Sequence, residues 1–276
     1  FAVLGMRAWP VLLLACGVAT FGTNAHYQIG LSVGELVWAS LAFAAAHTGT
    51  YGLAALAMRR LAQGATGAST MLRAVTVLLL GGAVATALAA VTGSSALMLT
   101  GMLPAADLPS LLVPWMIGDY AGLIALAPLA ILLLRLAAER LGLDVHHGLP
   151  RMEDLPAPDP EQSAFYPKLA LLLGLSGGVL ALASALPEQP AVVFALFPAV
   201  VIQLWIVHSE SAPRALIGIA TFSLLLAAGT AWLGLQPHAL ALQFAMISLA
   251  ANSYFGLAVP ELYADNARLR HLLTHD

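Results

Sequence analysis

Charge and cysteine are what this sequence has least of. Only 9% of its 276 residues are charged and 60% are hydrophobic, against roughly 25% charged in an ordinary soluble domain. A soluble globule is thereby excluded. Cys16 is the single cysteine and lies inside an apolar run, so there is no disulfide framework and no thiolate metal site, and cysteine redox chemistry is not expected. No P-loop, GxSxG or HExxH pattern and no basic patch suited to nucleic acid occurs. No catalytic site, metal site or cofactor is therefore expected within residues 1–276, and no nucleic-acid partner. The alternation of apolar and polar residues over segments of about 10 that marks a membrane β-barrel is missing as well.

What is present is long uncharged apolar sequence, such as 75–91 and 216–235, close to the roughly 20 residues a bilayer-spanning helix needs. The fold class is all-α: a polytopic membrane helix bundle of about eight transmembrane helices. The runs predict spans near 9–24, 35–58, 74–92, 110–134, 166–186, 191–208, 215–234 and 239–259. Arg7, Arg59, Arg60, Arg73, Arg135, Arg140, Arg151, Lys168, Arg214, Arg268 and Arg270 all fall in alternate connections. By the positive-inside rule those connections and the C-terminus are expected to be cytoplasmic. The outward connections are short, so anything sensed is sensed within the bilayer or at its face. The linker 138–165, rich in proline and acidic residues, is expected to be cytoplasmic and to join two four-helix halves. No repeat relates those halves. The chain opens on Phe1 without an initiator Met or signal pattern and closes on a charged segment, and both ends are expected to be cut from a longer protein.

Polar residues inside the spans are the candidates for function. An acid at mid-bilayer costs about 2.5–3.5 kcal/mol on insertion scales, so Asp119 needs compensation. Counting inward at about 1.5 Å per residue places Asp119 roughly 15 Å deep and His47 roughly 18 Å deep. A cluster of Asp119 and His47 with Thr48, Thr50 or Tyr51 follows, acting as a ligand site or proton-sensitive switch; a structural hydrogen-bond network is the alternative. Trp115, four residues before Asp119, shares its helix face and supplies an aromatic wall. Glu35, also a ligand-site candidate, stands with Trp38, His26 and Tyr27 near the outer end of the second span, where aromatic residues form an interface belt. Pro114 and Pro128 interrupt the fourth span and supply a kink or free carbonyls, or are ordinary membrane prolines. Gly174 with Gly178, and Gly81 with Gly82, are expected to be helix contacts within one chain. His146 and His147 lack a third ligand at metal spacing.

The tail carries a heptad pattern. Val259, Asn266 and Leu273 fall at a positions and Leu262, Leu269 and Asp276 at d positions, the choices that favour a parallel two-stranded coiled coil in fixed register. One amphipathic helix leaving the membrane is the other reading.

Residues 115–128, Trp-Met-Ile-Gly-Asp-Tyr-Ala-Gly-Leu-Ile-Ala-Leu-Ala-Pro, resemble the W-x-x-G-D-x-x-G…P signature of the bacterial membrane-associated sensor (MASE, type one) family. Gly5–Pro10, Ala57–Arg60 and Phe194–Trp205 agree with it, and the resemblance runs to about Pro260. His47 and Thr50 stand where the family leads one to expect an Asn and Glu type pair. The resemblance implies a membrane sensory input and dimerisation domain over 1–260, with 261–276 starting a signalling helix. Asp265–Asp276 resemble the stretch leading into a GGDEF domain. That implies a diguanylate cyclase output beyond Asp276, using GTP and Mg²⁺ to make cyclic di-GMP, and a homodimer through the C-terminal helix. Membrane lipid and an unidentified small ligand are the other expected partners. A sensor histidine kinase output is the nearest rival, and a secondary transporter is the rival from another class.

Overall fold

Hydrocarbon offers backbone amides no partner, so a chain this apolar satisfies them internally as helices. The computed structural model describes residues 3, 5–62, 69–143 and 164–274. It is 89% helical without a strand among the described residues, which fixes the all-α class. The helices are α1 (Trp9–Tyr27), α2 (Val33–Ala62), α3 (Thr70–Leu99), α4 (Leu108–Arg140), α5 (Phe165–Ala185), α6 (Phe197–Ser209), α7 (Ala212–Trp232) and α8 (Ala239–Thr274). Seven segments, one each at α2 to α8, are long and apolar enough to cross a membrane, α6 only together with the 3-10 helix Pro190–Leu196 that leads into it. The exception is α1, 19 residues long. Thr23, Asn24 and His26 dilute its apolar run, although Val11, Leu14, Val18 and Phe21 give it an outward apolar face. Schellman-type ends stop α3 and α4: Gly101 and Gly142 take positive φ, and Met102 and Leu143 donate back to Leu97 and Ala138.

Helix α2 buries Leu36, Ser40, Ala44, Thr48 and Gly52 at four-residue spacing. These residues are mostly small, which lets α1 and α3 approach closely. One hydrophobic core then runs through α3 to α8, joining Met71, Ile124 and Leu132 to Leu172, Leu216 and Leu249. The sequence before and after the linker therefore shares a core, with α4 packed on α3, α7 and α8. Linker residues 144–163, with His146, His147 and Arg151, lie outside the described residues, as do His275 and Asp276.

Gly81 and Gly82 are close contacts as expected: a Cβ would come within 2.9 Å of Met58 at the first and 3.0 Å of Leu123 at the second. Gly174 and Gly178 are not, which corrects the expectation for that pair. Helix α5 buries Leu172, Ser176, Val179 and Ala183, so the two glycines fall on the opposite face, where a Cβ meets nothing within 4 Å.

Three polar seams tie the helices together. Pro128 has no N–H to donate to the Ile124 carbonyl one turn back, and the fully buried Tyr254 of α8 donates its hydroxyl to that oxygen at 2.5 Å. In α3 a π-helical turn over Val77–Gly81 offers its Leu79 carbonyl, which accepts from the Tyr120 hydroxyl at 3.0 Å. The third seam closes α5, α6 and α7. Lys168, 1% exposed, donates to Ser209 Oγ and to Glu210 Oε1, both at 2.7 Å, under the Trp205 ring. Glu210 also accepts from Arg214 Nη1 at 2.9 Å and from the Ala164 amide at 2.8 Å. Lys168 is thus a buried clamp as well as a mark of orientation.

Tyr254→Phe leaves a buried carbonyl without its donor and is expected to cost about 1–3 kcal/mol in denaturant titration of the detergent-solubilised protein. Pro128→Ala restores an N–H to Ile124 and should make Tyr254→Phe nearly neutral. An equal loss in both backgrounds would show that the hydroxyl does not serve the carbonyl freed by proline.

Candidate functional site

Four side chains meet between α2 and α4. His47 and Tyr51 are four apart on α2, Trp115 and Asp119 four apart on α4, and that spacing puts each pair on one face. The Tyr51 hydroxyl donates to Asp119 Oδ2 at 3.0 Å. His47 Nε2 stands 3.8 Å from the same oxygen, the two side chains being 18% and 25% exposed. Trp115 makes a further hydrogen-bonding contact with the carboxyl.

Aromatic rings box this carboxyl in. Phe43 stacks on the imidazole with centroids 4.8 Å apart and lies 5.9 Å from Trp115, while Tyr51 meets His47 edge-on at 4.9 Å. Gly93 of α3 closes the back wall, since a Cβ there would come within 3.1 Å of Phe43 and 3.3 Å of His47 Nδ1. That Nδ1 is buried, and the imidazole has the Ala89 backbone of α3 beside it. A lone carboxyl held by a phenol, beside an imidazole and an indole, can accept a proton or a donor group. It has no second carboxylate for acid–base hydrolysis, and among the described residues no group of three His, Cys, Asp or Glu side chains gathers for a metal.

The other sequence candidates lie elsewhere. Thr48 is turned into its own helix, donating to the Ala44 carbonyl. Thr50 belongs to the α2–α3 seam, bonding the Ala46 carbonyl at 2.8 Å and Thr92 Oγ1 at 3.0 Å. The helical turn of about 100° per residue aims both away from α4. Glu35 caps a helix: its Oε2 accepts from the Ser32 amide at 2.9 Å and the Ser32 hydroxyl at 2.6 Å, a capping box at the start of α2. Ser32-Val-Gly-Glu35 spells that box in the sequence. Trp38 is exposed, at 61%. Sequence reasoning missed Phe43 and Gly93. Phe43 precedes His47 by one helical turn, a signal that was present; Gly93 gave none, because its role depends on how α3 approaches α2. In the tail, Val259 is 40% exposed. The side chains of Leu262, Asn266, Leu269 and Leu273 lie outside the described ones, although α8 itself continues to Thr274.

The fold defines a polytopic membrane helix bundle, and the site makes it one with a single boxed acid between two spans. The MASE1 family pattern matches residues 1–207, most of the chain, and the chain belongs to that family, whose members are membrane sensory input domains often found with GGDEF or histidine kinase outputs. The match ends at the close of α6, short of the Pro260 expected from the motifs, so α7 and α8 lie beyond it. No curated protein and no solved structure matches the chain at a significant level.

Tyr51→Phe and Asp119→Asn should be non-additive. Each alone is expected to cost roughly 1 kcal/mol, the range for hydrogen bonds between membrane helices, with coupling of about 0.5 kcal/mol or more in a double-mutant cycle read by denaturant titration. Strict additivity would show that the 3.0 Å contact contributes nothing.

Proposed function

We propose that this chain is the sensory and dimerisation input of a bacterial inner-membrane signalling protein whose output is a GGDEF diguanylate cyclase, with the Asp119 cluster as its switch. One observation carries the reading. Helix α8 runs unbroken for 36 residues from Ala239 to Thr274, about 54 Å at the usual rise, while its apolar span ends at Val259. The last membrane helix is therefore also the helix that leaves the membrane on the side where the arginines cluster, the cytoplasmic side by the positive-inside rule. Support comes from the family, from the heptad positions Val259, Leu262, Asn266, Leu269 and Leu273, and from the likeness of Asp265–Asp276 to the approach to a GGDEF domain.

The mechanism follows the contacts. Binding of a ligand or proton at Asp119 and His47 changes what α4 gains by lying against α2, and α4 is bonded to α8 through Ile124 and Tyr254. A shift of α4 biases the paired α8 helices between two arrangements, and these set how two GTP-loaded output domains meet. GTP and Mg²⁺ belong to the output; the bundle's partners are lipid, a second copy of the chain and a small ligand.

Formation of cyclic di-GMP from GTP and Mg²⁺ by the full-length protein in nanodiscs tests this. Asp119→Asn and Asn266→Leu are each expected to change the rate severalfold, the first through the switch and the second through the register of the helix pair. No product from any variant would overturn the cyclase reading and leave a histidine kinase output, read as autophosphorylation from ATP.

A further inference from the structure

Helix α4 has a second polar face behind Asp119. Gly118 and Gly122 form one wall of a cavity of about 300 Å³ closed by α7 and α8, at the lower end of the size range of small-molecule sites. Two of its lining residues carry orphaned polar atoms. Ser223 of α7 is 1% exposed and its Oγ has no hydrogen-bond partner. It shares this with Ser40, whereas Ser94, Ser176, Thr221, Thr230 and Ser253 each return their hydroxyl to a carbonyl one turn back. Gln243 of α8 leaves a buried Oε1 unpaired, and its amide lies so near α4 that a Cβ on Gly118 would come within 3.0 Å of Nε2. An unsatisfied polar atom in a medium of low dielectric is costly. Two lining one cavity point to a ligand that satisfies them.

The walls say which ligand. No charged side chain lines the cavity, which excludes ions and zwitterions. Leu126 and Leu224, both lining residues, are 37% and 54% exposed on the outer surface of their spans, so the opening faces hydrocarbon. Ser223 offers a donor and Gln243 Oε1 an acceptor. A hydroxyl complements both, accepting from Ser223 and donating to Gln243 Oε1.

We infer that this cavity is a site for a neutral, membrane-soluble alcohol or phenol that enters from the lipid and bonds Ser223 and Gln243. It is separate from the Asp119 cluster and shares only α4 with it. Because Gln243 sits on α8, an occupant touches the helix that leaves the membrane without passing through the acid.

Thermal unfolding of the full-length protein in nanodiscs, titrated with 4-hexylphenol and with its hydroxyl-free counterpart 4-hexyltoluene, tests the site. Ligand that binds only the folded state raises the midpoint saturably. The phenol should bind roughly tenfold tighter than the toluene, the factor expected of one net hydrogen bond. Ser223→Ala and Gln243→Leu should each shrink that ratio toward one. Gly122→Leu places its side chain where a Cβ meets nothing within 4 Å, and it should abolish saturable binding while leaving the helical circular dichroism intact; Ala227→Leu fills the same space from α7. Equal affinity for both compounds, an undiminished shift in the filled variants, or no saturable shift in the wild type would each overturn the proposal. The readout needs no output domain, so failure here leaves the cyclase reading standing, and failure there leaves this one.

Discussion

A proline in the middle of a membrane helix frees one carbonyl, and in hydrocarbon a freed carbonyl costs several kcal/mol until something donates to it. In this bundle the donor is Tyr254, which reaches the Ile124 oxygen from α8. That bond needs α4 and α8 in side-by-side register at one level, with Tyr254 wholly inside the core. Much else follows from the register. The single core through α3 to α8 forms around it, and the cavity beside Gly118 exists because α7 and α8 are held at that distance from α4.

Helix α4 consequently presents a different chemistry on each side. Asp119 faces the phenol and imidazole of α2, and Tyr120 donates into the π turn of α3. Ile124 accepts from α8, and Gly118 with Gly122 lines the hollow against α7 and α8. All lie within two turns of one another. A π turn is a common mark of functional sites, and here its carbonyl is bonded by the neighbour of the acid. This segment is bonded to α2, α3 and α8 together, so on the proposed reading its movement would reach all three.

The sequence disclosed the helices well because their signal is long and redundant: about 20 apolar residues without charge admit few other readings. It disclosed Asp119 for the same reason, since an acid in such a run stands out, and simple counting put His47 at a similar depth. Depth alone did not give rotation, however. Thr48, Thr50 and Tyr51 lie within one turn of α2, and only their angle about the axis sends Tyr51 to Asp119 and Thr50 to Thr92. Glu35 was read by its charge when its local spacing from Ser32 already described a cap. In the linear pattern Lys168 marks only a basic connection, because nothing there shows that Glu210, 42 residues away, folds back onto it. Pairings across the bundle, Pro128 with Tyr254 among them, depend on which helices become neighbours, and that is a property of the assembled core.

The energies limit how such a bundle signals. A hydrogen bond between membrane helices contributes around 0.6–2 kcal/mol, whereas driving a two-state element from 1:99 to 99:1 takes about 5.5 kcal/mol of differential binding. The Tyr51–Asp119 contact alone would, on the proposed reading, bias α8 by roughly thirtyfold at most on that scale. On the proposed reading the bundle is therefore graded, and a sharp response requires several contacts to change together in each of two paired chains. On that same reading, two chains paired through α8 would double the bias one bundle supplies, and dimerisation would contribute to the size of the signal as well as to the meeting of the output domains.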